Sequence, residues 1–250
     1  MTSSFSPQDC AKRLKAAKRI GVLTGAGLST AAGVPDFRGP KGLYVTRTYD
    51  PEAVFAIDGF DHDPAPFFAF SRDLLGLLST IKPTFTHRFL ARLEAEGRLS
   101  GIVTQNIDGL HQAAGSKRVF AMHGDYGKAH CRACERAFYL AEYQDEVMAG
   151  RVPRCECGGV VKPNIVFFGE AVREMEAAAE LAEESDFFLV LGSSLAVYPA
   201  AGIPDLCSRD VWVVNRGTVQ LRPSWQQADA DLDEFFRETA GHLGWSTDKA

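Results

Sequence analysis

Four of the six cysteines in this chain, Cys131, Cys134, Cys155 and Cys157, fall within 27 residues in the pattern C-x2-C-x20-C-x-C. Two cysteine pairs on facing turns make a tetrahedral thiolate site for Zn2+. Four thiolates leave no open coordination position, so the metal's role would be structural. The second pair is one residue shorter than the commonest ribbon spacing, and Gly158 and Gly159 supply a flexible turn behind it. A redox pair in "CRAC" would leave the second pair unexplained. Cys10 and Cys207 lie apart and are read as incidental.

A second set of residues suits a nucleotide and a proton transfer. "GAGLSTAAGVPDFRG" (residues 25–39) begins with a glycine turn. Gly25 and Gly27 would let backbone N–H groups approach a pyrophosphate, and Ser29 or Thr30 would cap a following helix. Gly33 lacks the spacing of a dehydrogenase fingerprint, and a lone GxG fits a plain strand-to-helix turn equally well. Phe37 offers a stacking face and Arg38 a guanidinium for a phosphate or ribose hydroxyl; a surface turn with an Asp–Arg pair is the blander reading. In "TQNIDGLHQ" (104–112), Gln105, Asn106 and Asp108 carry the donors and acceptors that a sugar or carboxamide needs, or they cap a helix. His123 precedes a glycine and suits a general base, with His111 as its rival.

These motifs need elements to hold them. Residues 8–18 read as a helix, and Ile20–Thr24, Gly101–Thr104, Val119–Met122, Phe187–Leu191 and Val211–Val214 as buried strands. "FTHRFLARLEAEG" puts Phe85, Phe89, Leu90 and Leu93 on one helical face. "EMEAAAELAEE" is made of strong helix formers, and Pro199 suits a first helical turn. Strands alternating with helices predict an α/β fold with a doubly wound parallel sheet. The glycine turn, "QNID", His123–Gly124, Gly192–Ser194 and Asn215 then all fall at strand carboxyl ends, the edge where such sheets bind ligands. "KPNIVFFGE" (162–170) reads as an extended apolar run: a core strand, or an edge that pairs with a peptide. The expected division is a Rossmann-like domain from 1–39, 83–125 and 163–250, and a smaller module from a helical insertion (40–82) and a zinc-ribbon insertion (126–162).

The net charge of −5 argues against a general nucleic-acid surface. Neither a signal-peptide core nor an apolar run of membrane-spanning length is present, so the expectation is a cytoplasmic protein with reduced thiols and no membrane partner.

Assembled in order, "GAGLSTAAGVPDFRGP", "TQNIDGLH", "MHG", the four cysteines, "PNIVFFGE", "GSSLAVYP" and "VVNRG" make the chain resemble the sirtuins, NAD-dependent protein-lysine deacylases, over residues 20 to 217. The resemblance implies a Rossmann-like domain with a zinc-ribbon and helical module, NAD as co-substrate and one structural Zn2+. It implies that Gly25, Ala26, Gly27, Thr30, Phe37 and Arg38 line the cofactor loop and that Gln105 touches the nicotinamide ribose. Asn106 would order the reactive ribose and water, and Ile107 and Asp108 would bind the nicotinamide amide. Ser193, Ser194 and Asn215 would hold the adenosine half, and Gly192, Arg216, Gly217 and Ala228 would also contact the cofactor. Val166, Phe167 and Gly169 would pair with an acyl-lysine peptide. His123 would accept a proton from the ribose hydroxyls, giving nicotinamide, free lysine and O-acyl-ADP-ribose. A monomer acting on acyl-lysine proteins, without nucleic acid, is implied. Relatives that prefer succinyl- or malonyl-lysine carry a Tyr-x-x-Arg where this chain has Phe68 and Ser71, with Arg72 one residue on, so neutral acyl groups are expected. Met122 stands where Phe or Leu is more usual. Competing readings are mono-ADP-ribosyl transfer from the same NAD site, an NAD-sensing or zinc-ribbon module without turnover, and a hydride-transfer dehydrogenase.

Overall fold

The computed structural model describes residues 4–34, 50, 54–217 and 219–246. Phe37 and Arg38 lie outside the described residues. The main sheet holds β1 (Ile20–Thr24), β2 (Leu99–Thr104), β3 (Val119–Ala121), β7 (Phe187–Leu191), β8 (Asp210–Val214) and β9 (Gln226–Ala228) in the order β3-β2-β1-β7-β8-β9. Every pairing is parallel. The order reverses between β1 and β7, which opens a crevice beyond their carboxyl ends.

Alternation along the strands sends side chains to two cores. Val22, Ile102 and Leu189 join one hydrophobic cluster with Leu14, Phe89 and Phe236. Their neighbours Leu23, Val103 and Val190 join the other with Ala178, Leu181 and Ile203. The first cover is built from helices α1 (Pro7–Ala16), α4 (Phe85–Ala95) and α8 (Leu232–Leu243); the second from α7 (Met175–Glu184) and the turns of 200–206. Both faces are buried, which is why the strands read as continuous apolar runs. Helix α1 starts where Ser6 and Asp9 form a reciprocal capping box ahead of Pro7. The Phe85, Phe89, Leu90 and Leu93 face of α4 is buried as the spacing predicts. The segment after Pro199 winds as a 3-10 helix, Ala200–Leu206. Pro204 sits inside it and cannot donate the N–H that an α-helix needs.

A second sheet, antiparallel and ordered β5-β4-β6, is made of β4 (Gly124–Cys131), β5 (Ala137–Tyr139) and β6 (Val161–Ile165). Its residues share one apolar cluster with α2 (Ile57–His62), α3 (Ala65–Leu78) and α6 (Leu140–Met148), through Phe60, Phe67, Phe68, Tyr126, Tyr143 and Phe167. The two stretches that interrupt the strand–helix alternation thus bury their aromatic residues against each other. No helix among the described residues is long and apolar enough to cross a membrane.

Candidate active site

The glycine turn meets the sheet edge by close backbone approach. Gly192 has φ +64, and a Cβ on it would stand 2.4 Å from the Leu28 nitrogen; one on Gly27 would stand 2.9 Å from the Gly192 Cα. Gly25 N–H donates to the Leu191 carbonyl (3.0 Å) and Gly27 N–H to that of Gly192 (2.9 Å). The glycines therefore seam the first loop to the β7 loop, and their amides are engaged within the protein rather than held out for a phosphate. Ser29 and Thr30 cap no helix. The chain makes 3-10 turns at Ala26–Leu28 and Thr30–Ala32, without side-chain caps. The Ser29 hydroxyl donates to Asp108 Oδ2 (2.6 Å), and that of Thr30 to the Gly27 carbonyl (3.0 Å).

The loop after β2 is tied to the glycine turn. Asn106 Nδ2 donates to the Gly25 carbonyl (3.0 Å) and faces Ser29 Oγ (3.3 Å). Its Oδ1 has no such tie. Burial raises the Asp108 carboxyl above its ordinary range, against hydrogen bonds from Ser29 and the Leu110 N–H that favour the anion. Gln105 Nε2 is buried without a partner, so a donor beside the cavity awaits an acceptor such as a sugar hydroxyl.

His123 Nδ1 lies 2.9 Å from the Gln105 carbonyl. A carbonyl only accepts, so Nδ1 carries the proton and the neutral ring keeps its lone pair on Nε2. Burial lowers the His123 pKa, with the Gln105 carbonyl opposing. The next residue has to be glycine: a Cβ at Gly124 would stand 1.7 Å from the Asn164 carbonyl oxygen of β6. The rival His111 is fully buried and hydrogen-bonded to Thr24, so it cannot reach a ligand.

These groups surround one cavity of about 1090 Å3. Ala26, Gly27, Thr30, Gln105, Asn106, Ile107 and His123 line it together with Gly192, Ser193, Ser194, Asn215, Arg216 and Gly217. Gly25 and Asp108 stand behind this lining. Ala228 is a core residue of β9 whose carbonyl accepts the Asn215 N–H (3.2 Å). Val166, Phe167 and Gly169 also line the cavity. Phe167 is only 2% exposed, and its N–H and carbonyl both bond to Glu170, whereas Phe168 is 52% exposed. The outward apolar residue of that ledge is therefore Phe168, which motif reading passed over; nothing in a run of adjacent phenylalanines tells which one turns outward.

The volume, the unpartnered Gln105 amide and a histidine with a free lone pair fit a dinucleotide. The cysteines fit a metal. Their Sγ atoms all lie within 4.8 Å of one another, with Cys131–Cys157 at 3.4 Å and Cys134–Cys155 at 3.8 Å. A tetrahedron with Zn–S bonds of about 2.3 Å has edges of roughly 3.8 Å. Backbone N–H groups, first that of Cys134 and then that of Ala133, lower the Cys131 thiol and favour its thiolate.

A model described as the Sir2 family matches residues 25–199. The chain belongs to the Sir2 family. Among Sir2 relatives, a Sulfolobus acidocaldarius protein named NAD-dependent protein deacetylase is 45% identical over 188 residues, 75% of this chain and 73% of its own. A Thermotoga maritima protein of the same name is 40% identical over 231 residues, 90% of this chain and 93% of its own. A solved structure of Sir2 with a p53 peptide and NAD+ superposes with a TM-score of 0.87 at 34% identity, over 96% of this chain and 99% of that one. The Rossmann-like sheet with a four-cysteine module is thus the Sir2 architecture.

Several contacts in this Sir2 chain had no sequence signal. Ser29 joins Asp108 to Asn106. Lys162 and Glu170 form a buried ion pair (2.8 Å) under the Phe167 ledge. Asp231, at the start of α8, reaches the cavity beside Arg216 (3.4 Å). Each depends on chain segments far apart in sequence. "KPNIVFFGE" held the Lys–Glu pair in view, but not its direction.

Proposed function

We propose that this chain is an NAD-dependent protein-lysine deacetylase, releasing nicotinamide, free lysine and O-acetyl-ADP-ribose. The observation that carries the reading is His123: its Nδ1–H is committed to the Gln105 carbonyl, and its Nε2 lone pair is available at the cavity. When bound, NAD supplies a ribose carbon that nicotinamide leaves and the acyl oxygen attacks. His123 Nε2 takes the proton from a ribose hydroxyl. Asn106, held by Gly25 through Nδ2, presents Oδ1 to order ribose and water. Gln105 Nε2 donates to a ribose hydroxyl. Ile107 and Asp108 bind the carboxamide, with Asp108 held in place by the Ser29 hydroxyl and the Leu110 N–H. Ser193, Ser194, Asn215, Arg216 and Gly217 hold the adenosine half, with Ala228 supporting Asn215. Phe37 and Arg38, which lie outside the described residues, are assigned to the cofactor loop. Cys131, Cys134, Cys155 and Cys157 hold one structural Zn2+.

The acyl-lysine peptide lies along Val166–Gly169, its apolar neighbours against Phe168. Neutral acyl groups are preferred. Phe68 and Ser71 are buried, Ser71 against the Tyr126 hydroxyl (3.0 Å), and Arg72 pairs with Asp73 (3.2 Å), beside Gly150. Arg216 is the only Lys or Arg among the described lining residues, and it faces Asp231. The nucleotide-binding domain takes 1–39, 83–125 and 163–250 and the small module 40–82 and 126–162, with β4 and β6 of the small sheet crossing these bounds, in a cytoplasmic monomer whose partners are acyl-lysine proteins.

Mass spectrometry of products from NAD plus an acetyl-lysine peptide tests the reading: nicotinamide, free-lysine peptide and O-acetyl-ADP-ribose should appear together. ADP-ribose on protein without deacylation, or undiminished activity in His123→Ala, would overturn it. A higher kcat/KM on the matched succinyl peptide would overturn the acyl preference.

A further inference from the structure

Beneath the Gln105–Asp108 loop runs a buried polar chain that the proposed chemistry does not use. His111, in the short helix α5 (Leu110–Ala113), places Nε2 2.9 Å from Thr24 Oγ1. Thr24 Oγ1 lies 2.8 Å from Thr104 Oγ1, which also receives the Asn106 N–H (3.1 Å). On its other side the His111 ring faces that of His87, with centroids 4.8 Å apart. His87 Nδ1 receives the Thr84 N–H (3.2 Å) and touches the Thr84 hydroxyl (2.9 Å). All these side chains are buried. Two ring nitrogens have no partner: His87 Nε2 and His111 Nδ1.

The donors settle the proton positions. A backbone N–H can only donate, so His87 Nδ1 holds a lone pair and the neutral ring carries its proton on Nε2. At the far end, Thr104 Oγ1 receives the Asn106 N–H and the Thr24 hydroxyl. Thr24 Oγ1 is then an acceptor for His111 Nε2–H, which leaves a lone pair on His111 Nδ1. The two unpartnered atoms are therefore one donor and one acceptor on adjacent, tilted rings that share no direct hydrogen bond, and one water between them would satisfy both. The groups around the pair leave it neutral. Asp233, from α8, is spent on the N–H groups of Phe85 and Thr86 and the Thr86 hydroxyl, and Arg88 on the Pro83 carbonyl. Protonating either ring would set an N–H against another N–H.

We propose that His111 is a positioning residue for the reaction: the hydrogen-bond chain His111 to Thr24 to Thr104 supports the Asn106 backbone beneath the cavity, and His87, held by Thr84 and packed against the His111 ring, extends it through a bridging water. Asn106 side-chain tethers reach Gly25 and Ser29, and its own N–H is held by Thr104, next to a Gln105 main chain bonded to the Thr24 carbonyl and to His123. Burial lowers the pKa of both histidines, consistent with neutral rings. The inference rests on the role given to Asn106 above.

The test uses the full-length zinc-loaded protein. Thr24→Val removes the central hydroxyl with little change of shape, and Thr24→Ser restores it. Kinetics with NAD and an acetyl-lysine peptide should show kcat reduced about tenfold to a hundredfold in Thr24→Val and in His111→Phe, as a displaced group would cause. KM for the peptide should stay within about twofold, and Thr24→Ser should recover most of kcat. Two-bond 1H–15N spectra should show both His87 and His111 as Nε2–H tautomers at neutral pH in the wild type. An Nδ1–H tautomer at either ring would overturn the chain, and so would an unchanged kcat in Thr24→Val. If the wild type fails to deacylate, the functional reading falls, and the tautomers still decide the chain.

Discussion

Lys162 should be costlier to orphan than to remove. Its side chain is 1% exposed, and burial pushes its pKa below the usual lysine range against the support of Glu170. All three ammonium protons have acceptors: the Ile165 carbonyl (2.8 Å), Glu170 Oε2 (2.8 Å) and the face of Phe167 (4.0 Å to the centroid). Glu170, 25% exposed, also receives the Phe167 N–H (2.8 Å). Glu170→Gln keeps the shape and leaves the cation in place without its counter-charge. Breaking a buried pair this way costs about 3–5 kcal/mol, and the partial exposure of Glu170 selects the lower end, about 3 kcal/mol. Lys162→Met removes the cation and its desolvation together, leaving a carboxylate that water can reach, and should cost only about 1 kcal/mol. At roughly 2–4 °C per kcal/mol for a chain of this size, Glu170→Gln should melt about 6–12 °C lower and Lys162→Met about 2–4 °C lower. Scanning calorimetry of the zinc-loaded proteins measures both. Because the pair underlies Val166–Gly169, Glu170→Gln should also raise KM for the peptide more than KM for NAD. Equal losses of stability, or a larger loss in Lys162→Met, would refute the argument from the buried cation.

Acid should unfold the protein early through its histidine pair. His87 is held down to about 4 by burial, against 6.5 when free, and His111 is lowered by burial as well. A depressed folded-state pKa contributes stability above pH 6.5 that is lost as pH falls toward 4, on the order of 3 kcal/mol from His87; urea midpoints measured across that window should fall steadily, and a flat profile would contradict it. His123 must be neutral to accept a proton, and burial lowers its pKa, so the acid limb of kcat/KM should lie below pH 6.5; a limb above that value would point to another base. Elemental analysis should find one zinc per chain, lost in Cys131→Ser and retained in Cys207→Ser, because Cys207 stands outside the four-sulfur cluster.

Much of this protein was readable before folding. Strand positions followed from apolar runs, since strands covered on both faces tolerate nothing else, and the ribbon cysteines declared themselves by spacing. Five polar motifs at strand ends located the cavity, because a parallel sheet turns all its carboxyl ends to one edge. Local sequence could not assign the direction of each group. Gly25 and Gly27 read as phosphate contacts, yet their amides are taken by Leu191 and Gly192, at the end of β7 and in the loop after it, more than 160 positions away. Ser29 read as a helix cap and instead holds Asp108. His111 and His123 were rivals of equal chemistry. One is sealed between Thr24 and His87, while the other is turned by a single carbonyl so that its lone pair meets the cavity. Residue type sets what a group is able to donate or accept, and this much the sequence determined. Which partner it meets, and therefore where its proton sits and what its pKa becomes, depends on contacts between distant segments, and only the tertiary structure decided that.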